Sequence, residues 1–372
     1  MDNQTLFALP PEALRARVGQ LLRKHWIAPR VSEGLEPVPA ARVENVARAA
    51  LDTMLTRQFR VGPLPPVEIY QQLLQRVRRQ VSRGQPIAVT VGYGPLKNPN
   101  VVRCSRADWA EFFALCHLVA WHNKVQAIYP PGLSLRIAFD DTTLIVANRA
   151  DKGRIKSYIS SVSELIRTLG FAPVLSASLR HSYFAWLFHF GLYQIARFRV
   201  FLWERDPSHR AQMERMALYA RRNLLLPPGL SPTEQERRVR AASHRYRIYW
   251  DALQLSGVTN SKSRLIAMYL DGSQHHLRQA VAFHLTTLDK GQMTQPWQGV
   301  GALVDNQHGK LEPFVLTGGR QLRYDTRIVD GLNVVPGDSF DRITVARLKV
   351  SAKPEAATQP AAETPLIVPN AI

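Results

Sequence analysis

Hydrophobic and polar positions along the chain follow two different periods, and the changes of period predict its helices and strands. Apolar residues at helical spacing predict amphipathic helices, whereas short, nearly continuous apolar runs are typical of buried strands. The predicted elements run helix, helix, strand, helix, strand, strand, helix over residues 39–58, 66–83, 87–92, 106–122, 133–138, 143–147 and 152–169. Strands that alternate with helices predict an α/β fold with a mixed, largely parallel sheet flanked by helices.

A long section without strand-like runs follows, and it is predicted to be a helical insertion or subdomain over about 183–258. Its first part is rich in aromatic residues, because nine of the 32 in the chain lie between Tyr183 and Trp203. The rings are expected to fill the contact between two buried helices. The alternative is that they form the wall of a pocket for an aromatic substrate, and the pattern alone leaves both interpretations open.

Apolar runs and proline-rich segments elsewhere set the expected boundaries. Runs at 280–285, 300–304 and 314–317 are predicted to add strands to the sheet. Residues 1–40 are predicted to form an arm or cap, and residues 41–350 a single α/β domain that carries the catalytic groups. The segment 351–372 is low in core-forming residues and is predicted to be a disordered tail.

The chain carries a net charge of +19, and 38 of its basic residues are arginines. Such a surface suits nucleic acid or anionic small molecules, because guanidinium groups bind phosphate and carboxylate in a bidentate manner. The alternative is that the arginines reflect a GC-rich genome and are spread over solvated helix faces. Nucleic acid is the weaker expectation, because the sequence has no zinc finger, clear helix-turn-helix or basic–aromatic RNA-binding motif.

The cysteines and the hydropathy of the chain predict its compartment. Cys104 and Cys116 match no metal-binding spacing and are expected to be reduced thiols. The first residues lack the basic and apolar regions of a secretory signal. The most apolar long stretch, Phe184–Phe198, contains His189 and Arg197 and is too short to span a bilayer. A cytoplasmic protein that needs no metal and no membrane is therefore expected.

Reactive side chains concentrate at the expected ends of the first strands. Lys97 follows the run 87–92, and Asp140 follows the run 133–138. In open α/β sheets, ligands bind at the carboxyl ends of the strands. Lys97 is therefore expected to bind phosphate, or to act as a base or Schiff-base amine, and the alternative is an ordinary surface lysine. The sequence contains no known nucleotide-binding loop, hydrolase elbow or zinc-protease motif.

Several segments of this region resemble motifs of a known enzyme family. Residues 95–100, PLKNPN, are similar to the P-x-K-S-P-N element of the isonitrile synthase family, also called the pyoverdine/dityrosine biosynthesis family. Residues 108–115, DWAEFFAL, resemble its D-x-A-E-x-x-A-L helix, and residues 129–140, YPPGLSLRIAFD, resemble its Y-P-P-G…S-D-G segment. Further along, residues 295–300, QPWQGV, resemble T-P-W-H-G-V. The order and spacing of the first three elements agree with the family.

The resemblance implies an enzyme that converts the amine of an amino acid, often tyrosine or tryptophan, into an isonitrile. The added carbon would come from ribulose 5-phosphate, without a metal or redox cofactor. Such a route would condense the amine with the ketose carbonyl and then move protons, release phosphate and cleave a carbon–carbon bond. It needs cations for phosphate and carboxylate and acid/base groups at the imine. The implied downstream partner is an iron- and 2-oxoglutarate-dependent oxygenase.

The same resemblance suggests roles for individual residues. Lys97 would bind the phosphate or the sugar carbonyl, with Asn100 orienting it. Glu111 and Asp140 would be the acid/base or amine-binding groups. The remaining expected substrate-binding residues are two cations and three pocket residues: Arg103, Arg264, Tyr129, Trp297 and Gln298.

Two histidines of the family pattern are not matched. Gln298 stands where the T-P-W-H element has histidine, and Met268 stands at the histidine of a loosely matched R-L-S-I-H segment. Histidine is the side chain best suited to proton transfer near neutral pH. A changed substrate, a different carbon–nitrogen reaction and lost activity therefore remain open. The competing class is a basic, non-enzymatic protein for nucleic acid or another anion, whose binding would weaken steeply with salt.

Overall fold

The structure is a computed structural model that describes most of the chain between residues 6 and 349. The residues outside the description are 1–5, 33–35, 61–63, 95, 99–101, 103–105, 140, 142–143, 146–148, 180–182, 204, 208–212, 215–216, 219, 222–223, 225, 228, 256–265, 268–295, 306–309, 318–321, 334–338 and 350–372. The predicted strand over 280–285 and the predicted tail over 351–372 lie outside the described residues. The division into one domain with an arm and a tail stays a prediction.

A parallel sheet of four strands lies at the centre of the fold. Its strands are β1 (Ile87–Tyr93), β2 (Leu133–Phe139), β3 (Leu175–Leu179) and β4 (Ile266–Ala267), in the spatial order β3-β2-β1-β4. β1 and β2 pair in register from Ile87 with Leu133 to Tyr93 with Phe139, so their carboxyl ends lie at one edge. The α/β class and the first two predicted strands are thereby confirmed.

The third predicted strand, over 143–147, is wrong at its described residues. Leu144 and Ile145 are helical, and the strand next to β2 is β3. The sequence of β3, LSASL, gives a weak signal because serines interrupt its apolar residues.

Helices surround the parallel sheet, and their extents follow the predicted periodicity closely. They are α1 (Pro11–His25), α2 (Val43–Met54), α3 (Val67–Val81), α4 (Trp109–Gln126), α5 (Lys152–Thr168), α6 (Tyr183–Trp203) and α7 (Pro232–Leu255). α4 connects β1 to β2, and fourteen of its eighteen residues are buried. It contacts β2 on one side and strands of a second sheet on another, as expected of a helix without a polar face.

This second sheet corrects the prediction that the later apolar runs extend the first one. Its strands are β5 (Val300–Asp305), β6 (Leu311–Leu316), β7 (Tyr324–Asn333) and β8 (Ser339–Leu348), in the order β6-β5-β8-β7. β5 runs parallel to β8, and the other pairs are antiparallel. The runs at 300–304 and 314–317 are strands as predicted, but β6 and β8 occupy both edges of β5, so β5 is not available to the parallel sheet.

The segment before α2 packs on the core of the protein. Leu14, Val18 and Leu22 of α1 are fully buried in the main hydrophobic cluster. The chain after α1 is held at the end of α4, where the Arg30 amide donates to Asn123 Oδ1 at 2.9 Å. Residues 6–32 therefore contribute to the same core as the two sheets.

The helical section consists of α6 and α7, which pack against each other. α7 begins at Pro232, and proline suits the first position of a helix because the amide it lacks would have no partner within the helix. The Glu234 amide donates to Ser231 Oγ at 3.2 Å. The expectation that the aromatic rings fill the helix contact fails for Phe198 and Phe201, whose residues are 64% and 48% exposed. Among the described helices, none has the length and apolar character to cross a membrane.

Candidate active site

The candidate site begins at the amino end of α4, where two carboxylates cap the helix. Asp108 is the N-cap and its Oδ1 accepts from the Ala110 amide at 2.8 Å, while Glu111 Oε2 accepts from the Asp108 amide at 2.7 Å. This reciprocal arrangement is a capping box. The helix therefore starts at Trp109, three residues later than predicted, and Asp108 is its cap. The box fixes both carboxylates at the carboxyl edge of the parallel sheet.

Lys97 lies on the loop after β1 and points into this pair of carboxylates. Its side chain is fully buried, and Nζ lies 2.9 Å from Asp108 Oδ1 and 2.8 Å from Glu111 Oε2. Nζ also donates to the carbonyl oxygens of Pro296 at 2.9 Å and Gly299 at 3.1 Å. An ammonium has three N–H donors, so these four acceptors use all of them. We call Lys97, Asp108 and Glu111 the Lys97 cluster.

The third part of the site is the chain at the start of β5. The Asn98 amide donates to the Trp297 carbonyl at 2.8 Å, and the Gly301 amide donates to Asp108 Oδ2 at 3.0 Å. A Cβ at Gly301 would overlap the Ala110 amide, and a Cβ at Gly94 would overlap the Trp297 indole. Glycine at these positions permits the close approach that brings the Trp297 segment onto the Lys97 cluster.

Burial and charge together set the protonation of this cluster. Burial raises the pKa of Glu111 to about 8, and the attraction of Lys97 offsets only part of this increase. Burial alone would lower the pKa of Lys97, but the two carboxylates more than reverse this and raise it above its ordinary value. Two carboxylates and one ammonium would leave one excess negative charge in the interior. The site therefore favours one additional proton near neutral pH, and Glu111 is placed to hold it.

Two buried tyrosines continue the site beyond Glu111. The Tyr158 hydroxyl, from α5, donates to Glu111 Oε1 at 2.7 Å. Tyr93 is the last residue of β1, and its hydroxyl is buried without a hydrogen-bond partner among the described residues. The Tyr93 ring centroid lies 4.6 Å from that of Trp297. Burial raises the pKa of both tyrosines well above the ordinary value, and the Glu111 charge acts in the same direction. Both phenols therefore remain protonated at neutral pH.

The structure brings together some of the residues predicted from the sequence. Lys97, Glu111 and Trp297 meet at the Lys97 cluster, and Gln298 lies in the short helix Pro296–Gln298 that Lys97 contacts. The Gln298 side chain lies outside the described part of the chain. Four predicted site residues are also outside it: Asn100, Arg103, Asp140 and Arg264.

Tyr129 does not belong to this group, which corrects its expected place in the pocket. Its hydroxyl donates to the Gln85 carbonyl at 2.8 Å, just before β1 begins. Lys97 follows the other end of β1, and a seven-residue strand is about 20 Å long. The position follows from the direction of α4, which carries the chain from the carboxyl edge of the sheet back to its amino edge.

Three contributors to the site were not among the predicted site residues. Asp108 belongs to a recognised motif, and its spacing of three from Glu111 is the signal of a capping box. Tyr93 directly follows the predicted strand 87–92, at a place where binding residues are expected in open sheets. Tyr158 gives no signal of its own, because it occupies an ordinary apolar position of α5.

The arrangement provides acid/base chemistry at the carboxyl ends of parallel strands. β4 and β2 flank β1 on opposite sides, and the chain reaches them by connections in opposite directions, so the Lys97 loop lies at a switch point of the sheet. Within the described residues, no group of three His, Cys, Asp or Glu side chains is placed to hold a metal ion. The fold and the site together define an α/β protein with a buried proton-holding centre where such folds bind ligands.

Comparison with known proteins agrees with this class. Residues 77–249 match the family model described as "Pyoverdine/dityrosine biosynthesis protein". The fold is similar to the crystal structure of the PvcA protein from Pseudomonas aeruginosa, with a TM-score of 0.60 and 18% sequence identity over 82% of this chain and 100% of that one. No curated protein matches the chain significantly.

These matches confirm the resemblance predicted from the sequence motifs. Residues 77–249 of the chain are similar to the pyoverdine/dityrosine biosynthesis family, and this range covers β1 to β3, α6 and most of α7. The family indicates a biosynthetic enzyme.

Proposed function

We propose that this protein is an isonitrile synthase-like enzyme that joins the amine of an amino acid to a carbon of ribulose 5-phosphate. The observation that carries the proposal is the meeting of three motif elements in one buried cluster. Lys97 Nζ contacts both the Asp108–Glu111 pair, which begins 11 residues away, and the Trp297 segment, whose Pro296 is 199 residues away. Motifs that resembled the family only by chance would not be expected to contact one another in the folded protein.

In this proposal Glu111 moves the protons. Formation of an imine from an amine and a ketose carbonyl releases water and requires protons to be removed from nitrogen and delivered to oxygen. A group whose pKa is near the working pH serves both steps best. Glu111, with its pKa raised to about 8 by burial, is suited to this role.

Lys97 takes a different role from the phosphate binding first expected of it. Its N–H donors are used by Asp108, Glu111 and two carbonyl groups, so a phosphate would have to displace one of them. We assign Lys97 to positioning and charge balance in the cluster. The phosphate would then be bound by the arginines named from the sequence, Arg103 and Arg264, which remain proposals.

A related function is a different carbon–nitrogen reaction on the same scaffold. Gln298 favours it, because Lys97 holds the backbone of Pro296–Gln298 and the family histidine is replaced at this point. Glutamine can orient a substrate by hydrogen bonds, but it cannot exchange a proton near neutral pH. A changed substrate or product would be the expected consequence.

The test is incubation with fully ¹³C-labelled ribulose 5-phosphate and each of the twenty amino acids, followed by mass spectrometry. The proposal expects one amino acid to gain a single labelled carbon with the mass of an isonitrile, and the Glu111→Gln variant to lose this product. A different labelled adduct would support the related reaction instead. If no amino acid acquires label while the protein is folded, both functions are wrong.

A further inference from the structure

One face of α6 is apolar and lies open to solvent in the described part of the chain. Phe198 is 64% exposed, Ile195 52% and Leu202 48%, although large apolar side chains usually lie inside a folded protein. A single exposed apolar residue needs no explanation, but three on adjoining turns of one helix form a continuous patch. The opposite face of α6 packs on α7, with Ala196 and Val200 buried. We call the three exposed residues the α6 stripe.

The α6 stripe has the spacing of a contact between two helices. Along this face the chain is exposed at steps of four, three, four and three residues, at Gly191, Ile195, Phe198, Leu202 and Arg205. This alternation is the heptad pattern by which one α-helix packs along another. A narrow stripe suits a second helix, whereas binding in the plane of a membrane surface requires a wider apolar face.

The charged side chains of α6 are all positive. The helix contains Arg197 and Arg199 but no aspartate or glutamate. Arg199 is paired with Asp251 of α7 at 3.3 Å, whereas Arg197 is exposed and forms no ion pair with another described residue. Asp206 lies past the end of the helix. The Arg197 guanidinium is therefore available to a carboxylate of a partner beside the α6 stripe.

Arg205 adds a second cation where the α6 stripe ends. Its guanidinium lies 4.4 Å from the centroid of the Phe201 ring, and Phe201 is itself 48% exposed. A guanidinium stacked on a ring still presents its N–H donors at its edge, so it can bind a carboxylate. The net charge of +19 on the whole chain attracts an acidic partner in the same way at longer range.

We propose that the open face of α6 is a docking surface for an acidic amphipathic helix of a partner protein. The partner helix would place leucine or isoleucine on the α6 stripe and glutamate or aspartate opposite Arg197 and Arg205. A second copy of this chain is a poorer match, because α6 has no carboxylate of its own to meet these arginines. The proposal does not depend on the proposed function, since the Lys97 cluster is formed by other elements.

The test uses the full chain and two synthetic peptides of three heptads each. Both peptides carry isoleucine and leucine at the seam positions, and the positions beside the seam carry glutamate in the acidic peptide and lysine in the basic one. Fluorescence anisotropy of the labelled peptide measures binding. We expect the acidic peptide to bind at least about tenfold more tightly than the basic one. Its affinity should fall as salt is added, because exposed charges are screened.

Two glutamate variants test the place of binding. Phe198→Glu puts a carboxylate in the middle of the α6 stripe and should weaken binding of the acidic peptide at least about tenfold. Leu322→Glu is the matched control, because Leu322 is 79% exposed and lies between β6 and β7. This variant should bind the peptide like the original protein. Both positions are on the surface, so urea unfolding should show little change in stability.

Exchange of the cations tests the charge of the partner. The double variant Arg197→Glu/Arg205→Glu should shift the preference of the protein toward the basic peptide. The proposal is wrong if neither peptide binds, if both bind equally well to the original protein, or if Phe198→Glu binds the acidic peptide as tightly as Leu322→Glu does.

Sedimentation of the original protein and binding to vesicles that contain phosphatidylglycerol test the other occupants of this face. A dimer that Phe198→Glu disrupts and Leu322→Glu retains would make the face an interface between copies of the chain. Vesicle binding that only Phe198→Glu loses would make it a membrane-binding face. Either result would overturn the proposal of an acidic partner helix.

Discussion

The two edges of the parallel sheet both carry family motifs, and they differ in charge. At the carboxyl edge, Lys97 joins two carboxylates, and burial raises the pKa of Glu111 to about 8. At the amino edge, the Tyr129 turn (Tyr129–Gly132) is closed by neutral groups: Tyr129 donates to Gln85, and the Gly132 amide donates to the Tyr129 carbonyl at 2.7 Å. Burial raises the pKa of Tyr129 to about 12, so its phenol stays neutral.

The difference indicates that the Tyr129 turn supports the fold, whereas the Lys97 cluster has the charges that acid/base chemistry requires. Gly132 has a φ of +62°, and a Cβ there would overlap His122, so the turn depends on glycine. Its hydrogen bonds join α4, β1 and β2 and leave no excess charge. The Lys97 cluster has similar hydrogen bonding but also a proton that is held near neutral pH. Charge balance, rather than membership in a motif, distinguishes the candidate active site.

The largest expected effect comes from removing the cation. Lys97→Met would leave the buried Glu111 carboxylate and the partly exposed Asp108 carboxylate facing each other without their cation. We expect it to lower the free energy of unfolding by about 3–5 kcal/mol, as for other broken buried ion pairs. Urea unfolding measures this change. The double variant Lys97→Met/Glu111→Gln should be less destabilised than the sum of the single changes, and additivity would contradict a coupled cluster.

The next effect concerns pH. Because the pKa of Glu111 is higher in the folded protein than in the unfolded chain, the folded state binds the extra proton between about pH 4.5 and 8. Its contribution to stability is therefore complete below pH 4.5 and is lost as the pH rises to 8. The loss over this pH range is on the order of 5 kcal/mol. Unfolding free energies at pH 5 and 8 should show a smaller decrease in Glu111→Gln, and equal decreases in both proteins would contradict the raised pKa.

Alanine at one glycine of each edge gives a sharper comparison. Gly301→Ala would press on Ala110 and Asp108, and Gly132→Ala would press on His122 with an unfavourable φ. Each should destabilise the protein by about 1–3 kcal/mol. At a temperature where both variants are folded, only Gly301→Ala should also lower turnover. Gly191→Ala, in open space on α6, serves as the control and should not destabilise the protein.

The smallest effect is expected at the Tyr129 hydroxyl. Tyr129→Phe removes one hydrogen bond between neutral groups and should cost about 1 kcal/mol of stability. Its pH dependence of stability should match that of the original protein. Thermal unfolding at pH 5 and 8 measures both the stability cost and the pH dependence. A changed pH dependence would show that the charges of the Lys97 cluster act on the Tyr129 turn.

The two central strands of the parallel sheet, β1 and β2, could be predicted because their signals are local. The runs that became β1 and β2 are apolar and continuous, α4 and α5 begin at acidic caps, and the apolar residues of α5 lie at helical spacing. β3 was missed because LSASL is short and partly polar. β7 and β8 were missed because charged residues interrupt their apolar positions. β5 pairs with β6 and β8 rather than with the parallel sheet. Local patterns cannot predict this choice, because β8 lies far from β5 in the sequence.

The candidate site was only partly predictable for a similar reason. Motif resemblance identified Lys97, Glu111 and Trp297, but it placed Tyr129 with them because it contains no information on which sheet edge a motif occupies. Tyr158 was missed because burial on a helix gives the same pattern for a packing tyrosine and for one that bonds a carboxylate. The role of Lys97 could not be read from its position in the chain, since it depends on four acceptors that only the folded chain brings together.

A comparison of turnover decides whether the carboxyl edge is the reactive end of this protein. Glu111→Gln and Tyr129→Phe are assayed side by side with ribulose 5-phosphate and the preferred amino acid, at pH 6 where both proteins are confirmed to be folded. We expect Glu111→Gln to lose about a hundredfold or more in rate, and Tyr129→Phe to keep the rate of the original protein. Equal rates for Glu111→Gln and the original protein, or a loss confined to Tyr129→Phe, would contradict it.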